Sequence, residues 1–431
     1  MRSLIWFRND LRVTDNATLN AAVKASTEVI PVFILDPAQW SEDRWGHVKT
    51  GPFRTQFLLE SLADLKADLE DMGGALLIRS GEPAEVLKAL ADEFGARTVF
   101  ATAEHTSEEL QREAQVAEVL DLRLEEQLTM YHPEDLPFAL EQLPDVFTRF
   151  RGKMEKRSEV RDPLCEPEAV KVPDGLSSDA APTMADLRVE AKAPDARGVL
   201  PFHGGAKAAW KRLDHYFWET KKLRVYKKTR NGLLGADYSS KFSPWLALGC
   251  ISPREIHAQV RAFEQDVEKN EDTYWLIFEL IWRDYFRYVA MRYGNRIFHK
   301  RGIKAESPKW RQDRRVFEAW CEGRTKCDFV NANMRELAAT GFMSNRGRQN
   351  VASYLVHDLG VDWRLGASWF EHMLLDHDPA SNCGNWIYVA GVGNDPRPNR
   401  KFNTTGQAER YDADGKYRRH WSHATLELDL Q

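Results

Sequence analysis

Four short stretches of this chain combine residue types able to act on a ligand. In Tyr238-Ser239-Ser240-Lys241-Phe242-Ser243-Pro244-Trp245, three serine hydroxyls and an ammonium group precede a proline at the start of a helical pattern. The free N–H groups of a helix start attract phosphate or pyrophosphate, and proline is pre-organised for the first turn. The same run is also what an ordinary Ser-Pro cap looks like. Within 340–349 (TGFMSNRGRQ), Asn345, Arg348 and Gln349 share one helical face. Residues 374–388 (LLDHDPASNCGNWIY) gather Asp376, Asp378, Asn382 and Trp386 around a proline and two turns. An Arg–carboxylate pair beside amides and an indole suits the edge of a flavin ring, which carries donors and acceptors; it also suits a purely structural ion pair. Glu279, Trp282, Arg283 and Phe286 lie on one helix face, and carboxylate, indole and guanidinium are rarely buried together unless they line a site.

Other catalytic signatures are missing: there is no GxxxxGKS/T loop, no HExxH, no GxSxG and no GxGxxG after the first apolar burst. His420 and His423 are three apart, but they sit in a charged stretch that reads as a solvated tail, so no metal site is expected.

These residues need a scaffold, and hydrophobic spacing predicts two unlike halves. Leu4 to Phe7, Val29 to Leu35, Ala75 to Ile78, Thr98 to Phe100 and Leu124 to Met130 read as buried strands, separated by helices at 16–25, 53–71, 83–94 and 107–120. Such alternation predicts a doubly wound parallel sheet, which binds ligands at the carboxyl ends of its strands. From 131 to 200 the pattern breaks; eight of the 19 prolines fall here, around one helical stretch near 145–158. Beyond 201 the reading is helical, with segments near 206–222, 244–262, 271–293, 313–322, 331–340, 345–359 and 365–374. The expected organisation is an α/β domain over 1–130, a linker over 131–200 and an all-helical domain over 201–431.

Composition narrows the class. At 431 residues the chain exceeds one ordinary core, and a mean hydropathy of -0.53 without a long uncharged apolar run argues against a membrane span. The opening MRSLIWFRNDLR has too short an apolar core for an export signal. Five cysteines without a CxxC argue against a disulfide framework or zinc ribbon and for a reducing cytoplasm. Residues 1–200 carry 23 Lys+Arg against 37 Asp+Glu, whereas 201–431 carry 37 against 28 and hold 11 of the 14 tryptophans. A basic, indole-rich half points to a stacking polyanion, nucleic acid first.

In register, these motifs resemble the photolyase/cryptochrome flavoproteins. Trp6-Phe7-Arg8-Asn9-Asp10-Leu11-Arg12 with Asp15-Asn16 is similar to the family's opening, Lys241 to Leu246 and Gly249 to Arg254 to its FAD-phosphate segment, and Trp282 to Phe286 to a flavin-cradling helix. Tyr226 to Gly232, Asn333 to Leu337, Met343 to Asn350 and Ala390 to Asp395 resemble the cryptochrome-DASH branch. The chain departs from the pattern at Lys326, Cys327, Asp328 and Asn331, ahead of the NMREL segment, and at Cys383.

The resemblance implies FAD held by Tyr226, Ser239, Ser240, Lys241, Phe242, Ser243 and Arg283. Arg348 and Asp376 would pair beside the ring, with Asp378 at its polar edge and Asn382 facing N5. Trp386, Trp363 and Trp310 match an electron relay from proximal to surface, although three core tryptophans would look the same. Glu279, Trp282 and Asn345 would contact a cyclobutane pyrimidine dimer, and Arg230 and Arg346 DNA phosphates. Gln349 and Tyr388 stand where duplex-active relatives carry Met and Trp, which implies a preference for single strands, where flipping a base costs least. Glu109 matches a contact to a methenyltetrahydrofolate antenna; an acidic first helical turn is the plain alternative. The implied activity is light-driven dimer splitting by an electron from reduced FAD, in a cytoplasmic monomer. The competing reading keeps the flavin and the tryptophans for blue-light signalling.

Overall fold

The computed structural model describes residues 1–305, 308–395 and 401–422. Its first part is a sheet of β1 (Arg2–Phe7), β2 (Glu28–Leu35), β3 (Leu77–Ser80), β4 (Thr98–Thr102) and β5 (Asp121–Glu125), all parallel, in the order β3-β2-β1-β4-β5. Between the strands run α1 (Ala17–Ala25), α2 (Pro52–Asp71), α3 (Pro83–Phe94) and α4 (Ser107–Val119). Buried apolar clusters lie on both faces of the sheet, which is why β1, β2 and β4 are continuous apolar runs rather than alternating ones.

The second part is helical, as expected: α5 (Phe147–Arg157), α6 (Ala206–Asp214), α7 (Tyr226–Thr229), α8 (Ser243–Ala247), α9 (Pro253–Asp266), α10 (Glu271–Tyr293), α11 (Arg314–Cys321), α12 (Asp328–Thr340), α13 (Asn345–Ser353), α14 (Trp363–Met373), α15 (Pro379–Val389), α16 (Thr404–Tyr411) and α17 (Lys416–His420). Among the described residues, no helix is long and apolar enough to cross a membrane. His423 lies outside the described residues.

Four local expectations need correction. The last strand covers Asp121–Glu125 rather than 124–130, because the apolar run that follows leaves the sheet: the N–H groups of Met130 and Tyr131 donate to the Asp284 carboxylate of α10 at 3.0 and 2.9 Å. The segment 244–262 is two helices, α8 and α9, broken at Gly249 (φ 66°), where a Cβ would come 2.1 Å from the Asn9 carbonyl oxygen. The segments 206–222 and 345–359 each end in a π-turn, at His215–Glu219 and Tyr354–Asp358. Of the two turns expected around Pro379, only the one before it forms, because Pro379 opens α15: Asp378 caps the helix by accepting from the Ser381 N–H at 2.6 Å, and proline suits the first turn.

The two halves meet at the residues after β1. Leu11 N–H donates to Leu248 O at 3.0 Å, the buried Arg12 guanidinium to Gly249 O at 2.9 Å, and Asp15 receives Arg254 at 2.5 Å. The opening motif is therefore an interdomain joint.

Candidate functional site

A cavity of about 460 Å³ opens between α7, the 239–243 loop, α10, α13 and α15, and a recess of about 120 Å³ continues it toward α14. Helix α10 is the long wall. Asn270 and Thr273 cap its start reciprocally, and it packs on α15 where Gly384 leaves no room for a side chain: a Cβ would come 2.4 Å from the Phe286 ring. Close approach of the two backbones brings their polar faces into one space.

The cavity is lined by Tyr226, Ser239, Ser240, Lys241, Phe242, Ser243, Arg283, Asn345, Arg348, Asp376 and Asp378, and Asn382 joins them in the recess. Ser243 is the first residue of α8, with Pro244 second and Phe242 at the cap position, so the proline sits one place further in than expected. Arg212 of α6 pins the loop from the buried side, donating to the carbonyls of Ala236, Ser239 and Ser240 at 3.0 Å each. Lys241 does not offer its ammonium freely. Its backbone is left-handed (φ 59°), its Nζ donates to Ala236 O at 2.8 Å, and that nitrogen lies 3.3 Å from the Tyr238 ring centroid. Buried Glu336 of α12 accepts from the Tyr417 hydroxyl at 2.6 Å, and burial pushes its carboxyl up to about 8 although Tyr417, Lys241 and Arg348 oppose the rise.

The polar edge is built from two ion pairs. Arg348 Nη2 lies 2.8 Å from Asp376 Oδ2, while Asp376 Oδ1 is buried without a partner. Asp378 pairs with Arg287, a residue the sequence reading missed because an arginine inside an apolar helix gives no periodic signal of its own. Burial alone would raise the Asp378 carboxyl, but Arg287, Arg283 and the Ser381 amide hold it at about 2. Arg283 donates to Leu128 O and, at 3.3 Å, to Leu246 O, tying the cavity wall to the sheet domain. The Asn382 amide donates to Ala367 O at 3.0 Å. This donor set fits a flavin: a fixed carboxylate, a guanidinium, an amide and one orphaned carboxylate oxygen face a space with apolar walls.

Toward the cavity mouth, the Trp282 indole stacks on Phe147 of α5, with Tyr388 edge-on at 5.6 Å and 83°. Phe147 comes from the stretch read as linker. Arg230 Nη1 lies 2.5 Å from Glu279 Oε1, so this guanidinium, expected on phosphate, is committed to the carboxylate in the free protein. Burial raises the Glu279 carboxyl, opposed by Arg230. Arg346 donates to Asn231 and Gln349 at 2.9 and 3.0 Å; Gln349 also lines the cavity.

Trp386 and Trp363 are buried, and Trp310 is half-buried in the segment ahead of α11. Trp386 presses on α14 at Gly366, three residues after Trp363, where a Cβ would come 2.2 Å from the indole. Its ring neighbours are Phe370 at 5.1 Å and Trp320 at 6.4 Å; the sequence reading passed over Trp320.

A second cavity, of about 660 Å³, lies between the sheet and α14, beyond the carboxyl end of β4. Glu109 lines it with Glu108, Lys49 and Arg112, and the Thr106 hydroxyl donates to Glu109 at 2.5 Å. Its inner wall includes His377, Asp378 and Asn382, which also line the recess of the first cavity. Among the described residues, no cluster of three or more His, Cys, Asp or Glu is arranged to hold a metal.

Residues 275–429 match the family described as the FAD binding domain of DNA photolyase, and residues 3–168 the family described as DNA photolyase. The chain is 51% identical to the cryptochrome DASH of Natronomonas pharaonis over 97% of its own length and 89% of that protein, and 49% identical to that of Danio rerio over 96% and 81%. The solved structure of a Synechocystis cryptochrome superposes with a TM-score of 0.94 at 45% identity, covering 98% of this chain and 88% of that one. A class III photolyase from Agrobacterium tumefaciens superposes with a TM-score of 0.84 at 29% identity, covering 97% and 86%.

Proposed function

Because the chain belongs to the photolyase/cryptochrome family, in its cryptochrome DASH branch, we propose that it is a blue-light-dependent flavoprotein that splits cyclobutane pyrimidine dimers, preferentially in single-stranded DNA. The observation that carries this reading is the sharing of one cavity: the residues matched to FAD, with Asn382 in the adjoining recess, and those matched to the lesion line the same 460 Å³ space. A bound FAD, once reduced and excited, supplies the electron that opens the dimer.

The chain's own groups do the rest. The 239–243 loop with Tyr226 takes the ribityl and pyrophosphate, and Arg348, Asp376, Asp378, Asn345 and Asn382 orient the ring. Trp282 stacks on the flipped pyrimidines, with Tyr388 and Gln349 beside it. Glu279 hydrogen-bonds the dimer, and burial raises its carboxyl toward the donating form against the opposing Arg230. When DNA arrives, Arg230 and Arg346 turn to phosphates, which costs Glu279 its ion-pair partner and raises its proton affinity further. Trp386, Trp363 and Trp310 refill the flavin with electrons. Glu109 holds a folate antenna, methenyltetrahydrofolate, in the 660 Å³ cavity. Five free cysteines accord with a reducing compartment such as the cytoplasm.

The test is repair of a thymine dimer in single-stranded and duplex oligonucleotides by reduced protein, in blue light and in darkness. Light-dependent repair, faster on the single strand, is expected; an unrepaired single strand sinks the proposal. A partner bound only after illumination, without repair of any substrate, would favour signalling. The absorption spectrum of the same sample reports flavin and folate separately.

A further inference from the structure

His377 stands in the wall between the two cavities and lines both. Its Nδ1 is buried and has no hydrogen-bond partner. Its Nε2 lies 3.8 Å from Oε1 of Glu371, a residue of α14 that lines the outer cavity and keeps 32% of its side chain exposed, within reach of water. Arg54 of α2 lines the same cavity with a buried Nε that also lacks a partner, its Nη2 being spent on Lys49 O and Thr50 Oγ1. Folded proteins leave few buried polar atoms unpaired, and two of them beside a carboxylate are groups that a buried water would satisfy.

We propose that Glu371 and His377 carry protons from the outer cavity into the flavin recess. A neutral imidazole suits this position, because one nitrogen accepts a proton while the other gives one up. The charged groups around the pair come from every neighbouring element: Arg54, Lys49, Asp43 and Glu108 act on Glu371, and Arg54, Lys49 and Asp378 on His377. Burial pushes the Glu371 carboxyl up to about 7, against Arg54 and Lys49, and burial keeps His377 neutral. Near neutral pH a substantial share of Glu371 thus holds a proton, and His377 has room for one.

The step balances simply. Under light, the Trp386 indole gives one electron to the oxidised flavin, and the reduced ring takes one proton. That proton leaves Nδ1 of His377, another enters Nε2 from the Glu371 carboxyl, directly or through one water, and Glu371 is refilled from water in the outer cavity. This inference rests on reading the recess as the flavin site.

The test uses FAD-loaded full-length protein and its Glu371→Gln and His377→Phe variants, with His377→Gln as the less disruptive second change. The observable is the rate at which the illuminated flavin passes from its anionic to its protonated absorption spectrum, in H2O and D2O, between pH 6 and 8.5. In the unaltered protein that rate slows in D2O and falls as pH rises through about 7, as Glu371 loses its proton. Glu371→Gln and His377→Phe lower it by on the order of 100-fold, the usual contribution of a positioned proton donor, and Glu371→Gln abolishes its pH dependence. A merely structural role would change flavin content but not the isotope effect. Flavin-loaded variants that protonate at the parent rate overturn the inference alone. A protein that binds no FAD overturns the flavin reading, which is a separate result.

Discussion

The Trp282 indole lies flat on the Phe147 ring, centroids 3.6 Å apart and planes within 9°. One ring belongs to the long wall of the cavity and the other to a helix of the connector between the two domains. The platform assigned to the lesion is thus held from behind by a helix that lines neither cavity.

Phe147→Ala should therefore weaken substrate binding as well as the fold. Losing a buried phenyl costs about 3–5 kcal/mol of stability, and an aromatic pair adds about 0.5–1.5 kcal/mol beyond area. Denaturant unfolding reads both terms together. Titration with a dimer-containing oligonucleotide reads the binding loss separately, and Phe147→Leu, which keeps most of the volume but not the stack, should show the binding loss with a milder stability loss.

The Arg230–Glu279 pair should show coupling in a double-mutant cycle. Arg230→Gln leaves a buried carboxylate without its cation, whereas the double change with Glu279→Gln removes both charges. The expected interaction energy is about 0.5–3 kcal/mol in stability. Binding of DNA to Arg230→Gln should also depend less steeply on salt, because one phosphate contact is gone.

Asp378→Asn should flatten the acid limb of the stability curve. The Asp378 carboxyl is depressed from 3.8 to about 2 in the folded protein. Its contribution is thus fully present above about 4 and lost as pH falls through about 2. At neutral pH the parent should be more stable than the variant by about 2 kcal/mol or more, since a depression of that size corresponds to that energy and Arg287 is also left unpaired. Below pH 2 the difference should shrink. Urea unfolding at pH 7 and over the acid range, comparing the two proteins, checks the sign.

Gly384→Ala should disturb the site without touching a ligand. The added methyl would come 2.4 Å from the Phe286 ring, so α10 and α15 must separate. Overpacking of this kind costs about 1–3 kcal/mol. Thermal unfolding should show a lowered midpoint, and FAD retention on gel filtration should fall in parallel.

Much of this protein was legible in its residues. Strand–helix alternation before residue 126 and helical periodicity beyond 201 follow from which side chains can be buried, so the α/β-plus-helical architecture is set by local pattern alone. The family, too, is readable from motifs in order, from Trp6 to Asp395, and Asn345, Arg348, Asp376 and Asp378 could be singled out by type and spacing. Only the tertiary structure decided who partners whom. Arg287 on Asp378, Phe147 under Trp282 and Arg230 on Glu279 join residues 49 to 135 positions apart on different elements, His377 stands between two cavities built from several elements, and no local period encodes such a placement. The same reason explains the misplaced elements. Leu128 to Tyr131 have the composition of a strand, but an acceptor 154 residues away on α10 draws their N–H groups out of the sheet. Burial and hydrogen-bond demand are set locally; the group that satisfies them is chosen by the fold.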